Sequence, residues 1–194
     1  INMKEILKKE KSFCYSLNID KFTIHADSID GLIDSLEELN RGDMIKEFII
    51  VFSDLSEKQQ KRIDSLMART RDIKNIVWYL NYKTSITNPK EFHTVLLEST
   101  SVNKGKEEWR LDEKITTIIN FTDKFRPQDS KEFIARSEDF IIESGLTWAM
   151  LVFAKEINGC DLIKIKNAII KSGNLEDINT FFRRYQHKDE IIED

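Results

Sequence analysis

Two short segments hold the side chains best suited to chemistry, His25-Ala26-Asp27-Ser28 and Ser53-Asp54-Leu55-Ser56. Each sets a carboxylate and hydroxyls between an apolar run and an amphipathic one. If the apolar runs are strands of an open parallel sheet, these residues lie at the carboxyl ends of the strands, where such sheets bind ligands. Asp27 and Asp54 then stand side by side and could hold magnesium or manganese, or the following helix starts could cradle a phosphate. The simpler expectation is that both segments cap helices, since Asp and Ser are preferred there, and that no cofactor is used. A metal-dependent nuclease or phosphoesterase would add Glu98 and Lys104 to the two aspartates, with Lys83 as a substitute. The tight acid-x-lysine spacing of that chemistry is missing, because Ser99 and Thr100 follow Glu98. No glycine-rich phosphate loop follows either segment.

Other reactive residues offer less. His25, His93 and His187 stand apart, and Cys14 and Cys160 lack metal-ligand spacing, so neither a zinc site nor a Cys-His nucleophile is expected. Two distant cysteines do not form a disulfide framework, which points to a reducing, cytoplasmic setting. The longest uncharged stretch, 144–154, is about half of the ~20 residues a membrane span requires. The polar, lysine-rich start does not resemble a signal peptide, and Met3 is the expected native initiator.

Charge gives a stronger lead. The net charge of −4 disfavours non-specific nucleic-acid binding, which needs a basic footprint. From Asp27 to Glu47 seven acids face two bases, whereas from Glu57 to Lys74 six bases face three acids. One amphipathic segment is therefore acidic and the next basic. The favoured reading is a non-catalytic interaction module of inhibitor, immunity or adaptor type, presenting Asp30, Asp34, Glu37 and Glu38 to a basic protein partner. Trp109, set among charges in Lys106-Glu107-Glu108-Trp109-Arg110, is a candidate interface anchor. The metal-dependent enzyme is the first alternative. A regulatory subunit docked on a larger assembly through the C-terminal helices is the second. Phe181, Phe182 and Tyr185, mixed with Arg183 and Arg184, are expected to bury against preceding helices rather than stack on bases, because acids outnumber bases in the chain.

The elements that would position these groups follow from periodicity. Residues 13–17 and 21–26 suit strands. Ile29, Leu32, Ile33, Leu36 and Leu39 mark a helical face that should stop at Gly42. Phe48-Ile49-Ile50-Val51-Phe52 reads as a central strand, Ser56-x-x-Gln59 as a capping box, and 76–80 and 92–97 as further strands. Residues 111–125 lean to a strand that completes the sheet. A helix from Ser130 would bury Phe133, Ile134, Phe140, Ile141, Trp148, Leu151 and Val152, with a bend or break at Ser144-Gly145. Two shorter helices follow, over about 160–171 and 175–187. The expected fold is thus α/β, with a mixed, mainly parallel sheet over about 13–122, flanking helices and a helical C-terminal third. The domain boundary is placed between residues 104 and 105. Six glycines and two prolines suit long regular elements joined by short loops.

Overall fold

The computed structural model describes residues 9–10, 12–13, 15–19, 22–103, 105–128 and 130–188. The expected parallel sheet is absent among them. The only sheets there are two antiparallel pairs, β1 (Lys9–Glu10) with β2 (Ser12–Phe13) and β3 (Tyr15–Ile19) with β4 (Phe22–Ala26). In the second pair Tyr15 lies opposite Ala26 and Ile19 opposite Phe22. Everything after Ala26 that has regular structure is helical, apart from one bridge between Ser101 and Glu108. The chain divides into two compact units, Ile1–Trp109 and Arg110–Asp194.

In the first unit the helices are α1 (Ile29–Leu39), α2 (Gly42–Val51), α3 (Glu57–Thr70), α4 (Ile73–Tyr82) and α5 (Pro89–Glu98). Three of them replace expected strands, and their burial shows why. In α2 the buried side chains are Met44, Ile45, Phe48 and Ile49, while Ile50 is exposed. That 1, 3, 1 spacing is one helical face, not the two covered faces of a central strand. In α4 the buried set Ile73, Ile76, Tyr79 and Leu80, spaced 3, 3, 1, is again one helical face. Pro89 opens α5 at a position where its missing N–H costs nothing, and Phe92, Val95 and Leu96 point inward. Residues 111–125 likewise form a helix rather than a closing strand.

Helix ends follow local rules. Ser28 caps α1 through its Oγ, which accepts from the Gly31 amide at 3.0 Å. Ser56 and Gln59 form the expected reciprocal box, with bonds of 3.2 and 3.0 Å. α1 ends on Asn40, left-handed at φ 47°, rather than at Gly42. Gly42 instead opens α2, where a Cβ would lie 3.0 Å from Asn75 Cβ. It is the close approach of α2 to α4, more than a turn, that requires glycine there.

The first unit stacks its helices in two layers, α1–α3–α5 and α2–α4, with neighbours in each layer running parallel. Polar contacts between α1 and α3 advance together along both helices: Asp30 with Gln59, Asp34 with Arg62, Glu37 with Arg69. Ser65 with Glu91 and Arg71 with Glu98 continue the order from α3 to α5. Gly42 beside Asn75, then Lys46 over Trp78, gives it for α2 and α4. α3 packs against both layers, touching α1 and α5 in its own and α2 and α4 in the other.

The second unit comprises α6 (Leu111–Phe125), α7 (Lys131–Glu143), α8 (Thr147–Glu156), α9 (Leu162–Ser172) and α10 (Leu175–Tyr185). Gly145, at φ 71°, divides the expected long helix into α7 and α8. The break changes which residues are covered. Ala149, Met150, Leu151, Phe153 and Ala154 take the inner face of α8, and Trp148 and Val152 are left outside. α6 and α7 are antiparallel, joined by the buried Thr122–Ser137 hydroxyl pair at 2.7 Å and by Lys114 over the Phe140 ring. α8 and α10 are parallel, since Thr147 meets Asp177 and Arg184 donates to the Leu151 carbonyl at 2.8 Å. Phe181 and Tyr185 bury in this unit's core, which also holds Ile115, Ile141, Phe153 and Ile165.

Candidate functional site

The residues expected to form a metal site lie at three separate element ends. Asp27 is exposed at the end of β4, and Asp54 is exposed in the link between α2 and α3. Glu98 ends α5 and pairs with Arg71 at 2.7 Å. Lys104 and Cys14 lie outside the described residues. No group of three or more His, Cys, Asp or Glu side chains is arranged to hold an ion among the described residues. The hydroxyls of Ser28 and Ser56 are engaged by their own helix amides, as caps.

The acidic helix and the basic helix meet. Arg62 of α3 bonds Asp34 at 2.5 Å and Glu37 at 2.8 Å, while Arg69 reaches Glu37 at 3.2 Å. The Arg62 guanidinium beside Glu37 holds its carboxyl below the usual range, and the two carboxylates in turn raise the Arg62 pKa. Two arginines therefore face an α1 that carries Asp30, Asp34, Glu37, Glu38 and no base. The edge stays net negative, and the Asp34 side chain is 64% exposed. Trp109, expected as an exposed anchor, is only 7% exposed, with its amide donating to the Thr100 carbonyl at 2.9 Å. It is a core residue of the Ser101–Glu108 turn region, and an anchor must be reachable.

Periodicity missed one polar cluster. Asp64 of α3 is fully buried and accepts from the Tyr79 hydroxyl, from the Thr87 amide at 2.8 Å and from the Thr87 hydroxyl at 2.8 Å. Lys83 Nζ stands 3.8 Å away. Burial lowers the Lys83 pKa, which the Asp64 charge partly offsets, and burial raises that of the Tyr79 phenol. The carboxylate ties α3 to the end of α4 and to the loop before α5. Its signal was present in the sequence: Asp64 is the lone acid between Ile63 and Leu66 on an apolar face. With both carboxylate oxygens engaged by the protein, the cluster serves as a strut.

Aromatic residues are the remaining surface chemistry. On α4, Trp78 and Tyr82 stack at 5.1 Å, with Lys46 over the indole at 4.7 Å and Ile50 exposed. The neighbouring Tyr79 is wholly buried, so Trp78 and Tyr79 do diverge, but by a helical step rather than across a sheet. No helix among the described residues is long and apolar enough to cross a membrane. No known protein family, curated protein or solved structure matches the chain.

Proposed function

We propose that the chain is a non-catalytic protein-interaction module whose partner is basic. The observation that supports this best is the ladder between α1 and α3. It fixes Asp34 and Glu37 in place, with Asp30 on Gln59, and leaves the four acids of α1 against two arginines on an exposed edge. Fixed, uncompensated charge at a rim speeds encounter with a partner of opposite sign more than it deepens final affinity. Stacked helical layers suit this use, because they present broad side-chain surfaces rather than a closed cleft.

The test separates charges that hold the fold from charges free to attract. Asp34 and Glu37 secure Arg62 and Arg69, so Asp30→Lys with Glu38→Lys is the variant to use. Proteins captured by the immobilised full chain from the cells that express it should include a basic species. Its association rate should fall about tenfold on this double reversal, and the parent's rate should fall with added salt while the variant's does not. An unchanged rate with unchanged circular dichroism removes the α1 edge from the interface.

A further inference from the structure

A second acidic surface, in the second unit, has a more specific shape. Asp112, Glu113, Thr116 and Thr117 of α6 and Trp148 of α8 line a shallow groove of about 650 Å³. Trp148 leaves 41% of its surface in solvent, and Val152, one turn further along α8, leaves 38%. The groove also holds the two carboxylates of the first turn of α6, Asp112 and Glu113, their side chains 52% and 56% exposed. Arg110 pairs with them at 2.8 and 3.8 Å but is itself 70% exposed, and such pairs are weak and easily exchanged. Two acids against one guanidinium leave a net negative charge, and no lining residue is basic.

An exposed indole that lines one groove with carboxylates is suited to a cation. The ring quadrupole attracts positive charge, and the carboxylates supply charge-assisted hydrogen bonds. A planar guanidinium satisfies both at once, stacking on the ring while its edge meets an acid, which an ammonium group does less well. Arg110 already shows this carboxylate pair accepting a guanidinium in a forked geometry, with Asp112 bonded to both Nε and Nη2. The groove has room for more than one side chain, so the occupant is a segment rather than a free amino acid. We propose that the α6–α8 groove docks an arginine-bearing segment of a partner protein, its guanidinium over Trp148 and against Glu113 and Asp112. This rests on the reading of the partner as basic and adds a second contact, carried by the second unit.

The probes are capped, fluorescein-labelled Gly-Ser peptides carrying two arginines, two lysines or two citrullines, titrated against the full chain by anisotropy. The arginine peptide should bind about tenfold more tightly than the neutral citrulline peptide. Glu113→Gln and Trp148→Ala should each weaken it about five- to tenfold. Both positions are exposed, and circular dichroism checks that the variants fold. The Asp30→Lys, Glu38→Lys chain should bind the peptide as the parent does. Equal binding of citrulline and arginine, or parent-like binding by both groove variants, overturns the proposal. Arginine binding lost only on reversal at α1 also overturns it, while leaving the basic-partner reading intact. Binding at the groove by a chain that captures no basic protein supports the site and counts against that reading. Self-association by sedimentation that disappears in Trp148→Ala assigns the groove to a second copy and overturns the proposal.

Discussion

Replacing Asp64 with alanine should destabilise the first unit by about 3–5 kcal/mol, the cost of removing one partner from a buried ion pair. The structure divides that cost. Thr87 is exposed, so its amide and hydroxyl can turn to water once the carboxylate is gone. Tyr79 is fully buried, and its stranded hydroxyl accounts for about 1–3 kcal/mol. Lys83, with 14% of its side chain exposed, loses its counter-charge and contributes the rest. Tyr79→Phe alone removes one hydrogen bond to a charged group, about 1.5–3 kcal/mol. In the double variant no hydroxyl is left to strand, so the combined loss should fall short of the sum by about 1–2 kcal/mol. Urea unfolding in a Trp148→Phe background reads the first unit alone, through Trp78 and Trp109. A loss below about 1 kcal/mol for Asp64→Ala, or strict additivity, would refute the reading of Asp64 as a strut between α3, α4 and the loop before α5.

Three further outcomes are expected. Gly42→Ala should cost about 1–3 kcal/mol in thermal or urea unfolding, because the new methyl would lie 3.0 Å from both Asn75 Cβ and Asp72 Oδ2 where α2 meets α4. Hydrogen bonding from Arg62 keeps the folded pKa of Glu37 below 4.5, so the unfolded chain takes up that proton first as pH falls. The stabilisation is complete above pH 4.5 and is lost as pH drops through the folded value, and Glu37→Gln should flatten the stability profile in that window. Burial, reinforced by the Glu138 charge, pushes the Cys160 thiol up to about 11 from an ordinary 9.0. In a Cys14→Ser background its reaction with a disulfide reagent at pH 8 should therefore be about 100-fold slower than that of an ordinary thiol.

Local signals in the chain were easier to read than its architecture. The Ser56-Gln59 box, the Ser28 cap and the strands before Asp27 each depend on a few adjacent residues, and the chain carries them openly. The sheet was misread because a run such as Phe48 to Phe52 is short enough to suit either a buried strand or one side of a helix. The apolar positions just upstream, Met44 and Ile45, resolve it, since with Phe48 and Ile49 they complete a helical face over two turns. The same holds for Ile73 before the 76–80 run and for Pro89 before 92–97. With helices in place of strands, the ends of the supposed strands no longer line one sheet edge, and the sheet-based reason for setting Asp27 beside Asp54 is gone. The acid–base alternation between segments was legible, but the stacking of α1 directly on α3 is a tertiary fact that no local pattern encodes. Trp148 illustrates the reverse case: its place in an apolar series predicted burial, and the break at Gly145 rotated it outward.

Thermal unfolding with and without divalent cation tests most directly whether this chain binds rather than turns over its partner. An ion held by Asp27, Asp54 and Glu98 with a dissociation constant one-hundredth of its added concentration would stabilise the native state by about 2.7 kcal/mol. For the full chain in 1 mM manganese or magnesium, the expected result is a melting temperature equal to that in chelator. A rise in melting temperature that vanishes in Asp54→Asn would contradict the non-catalytic reading and return the carboxylates to catalysis.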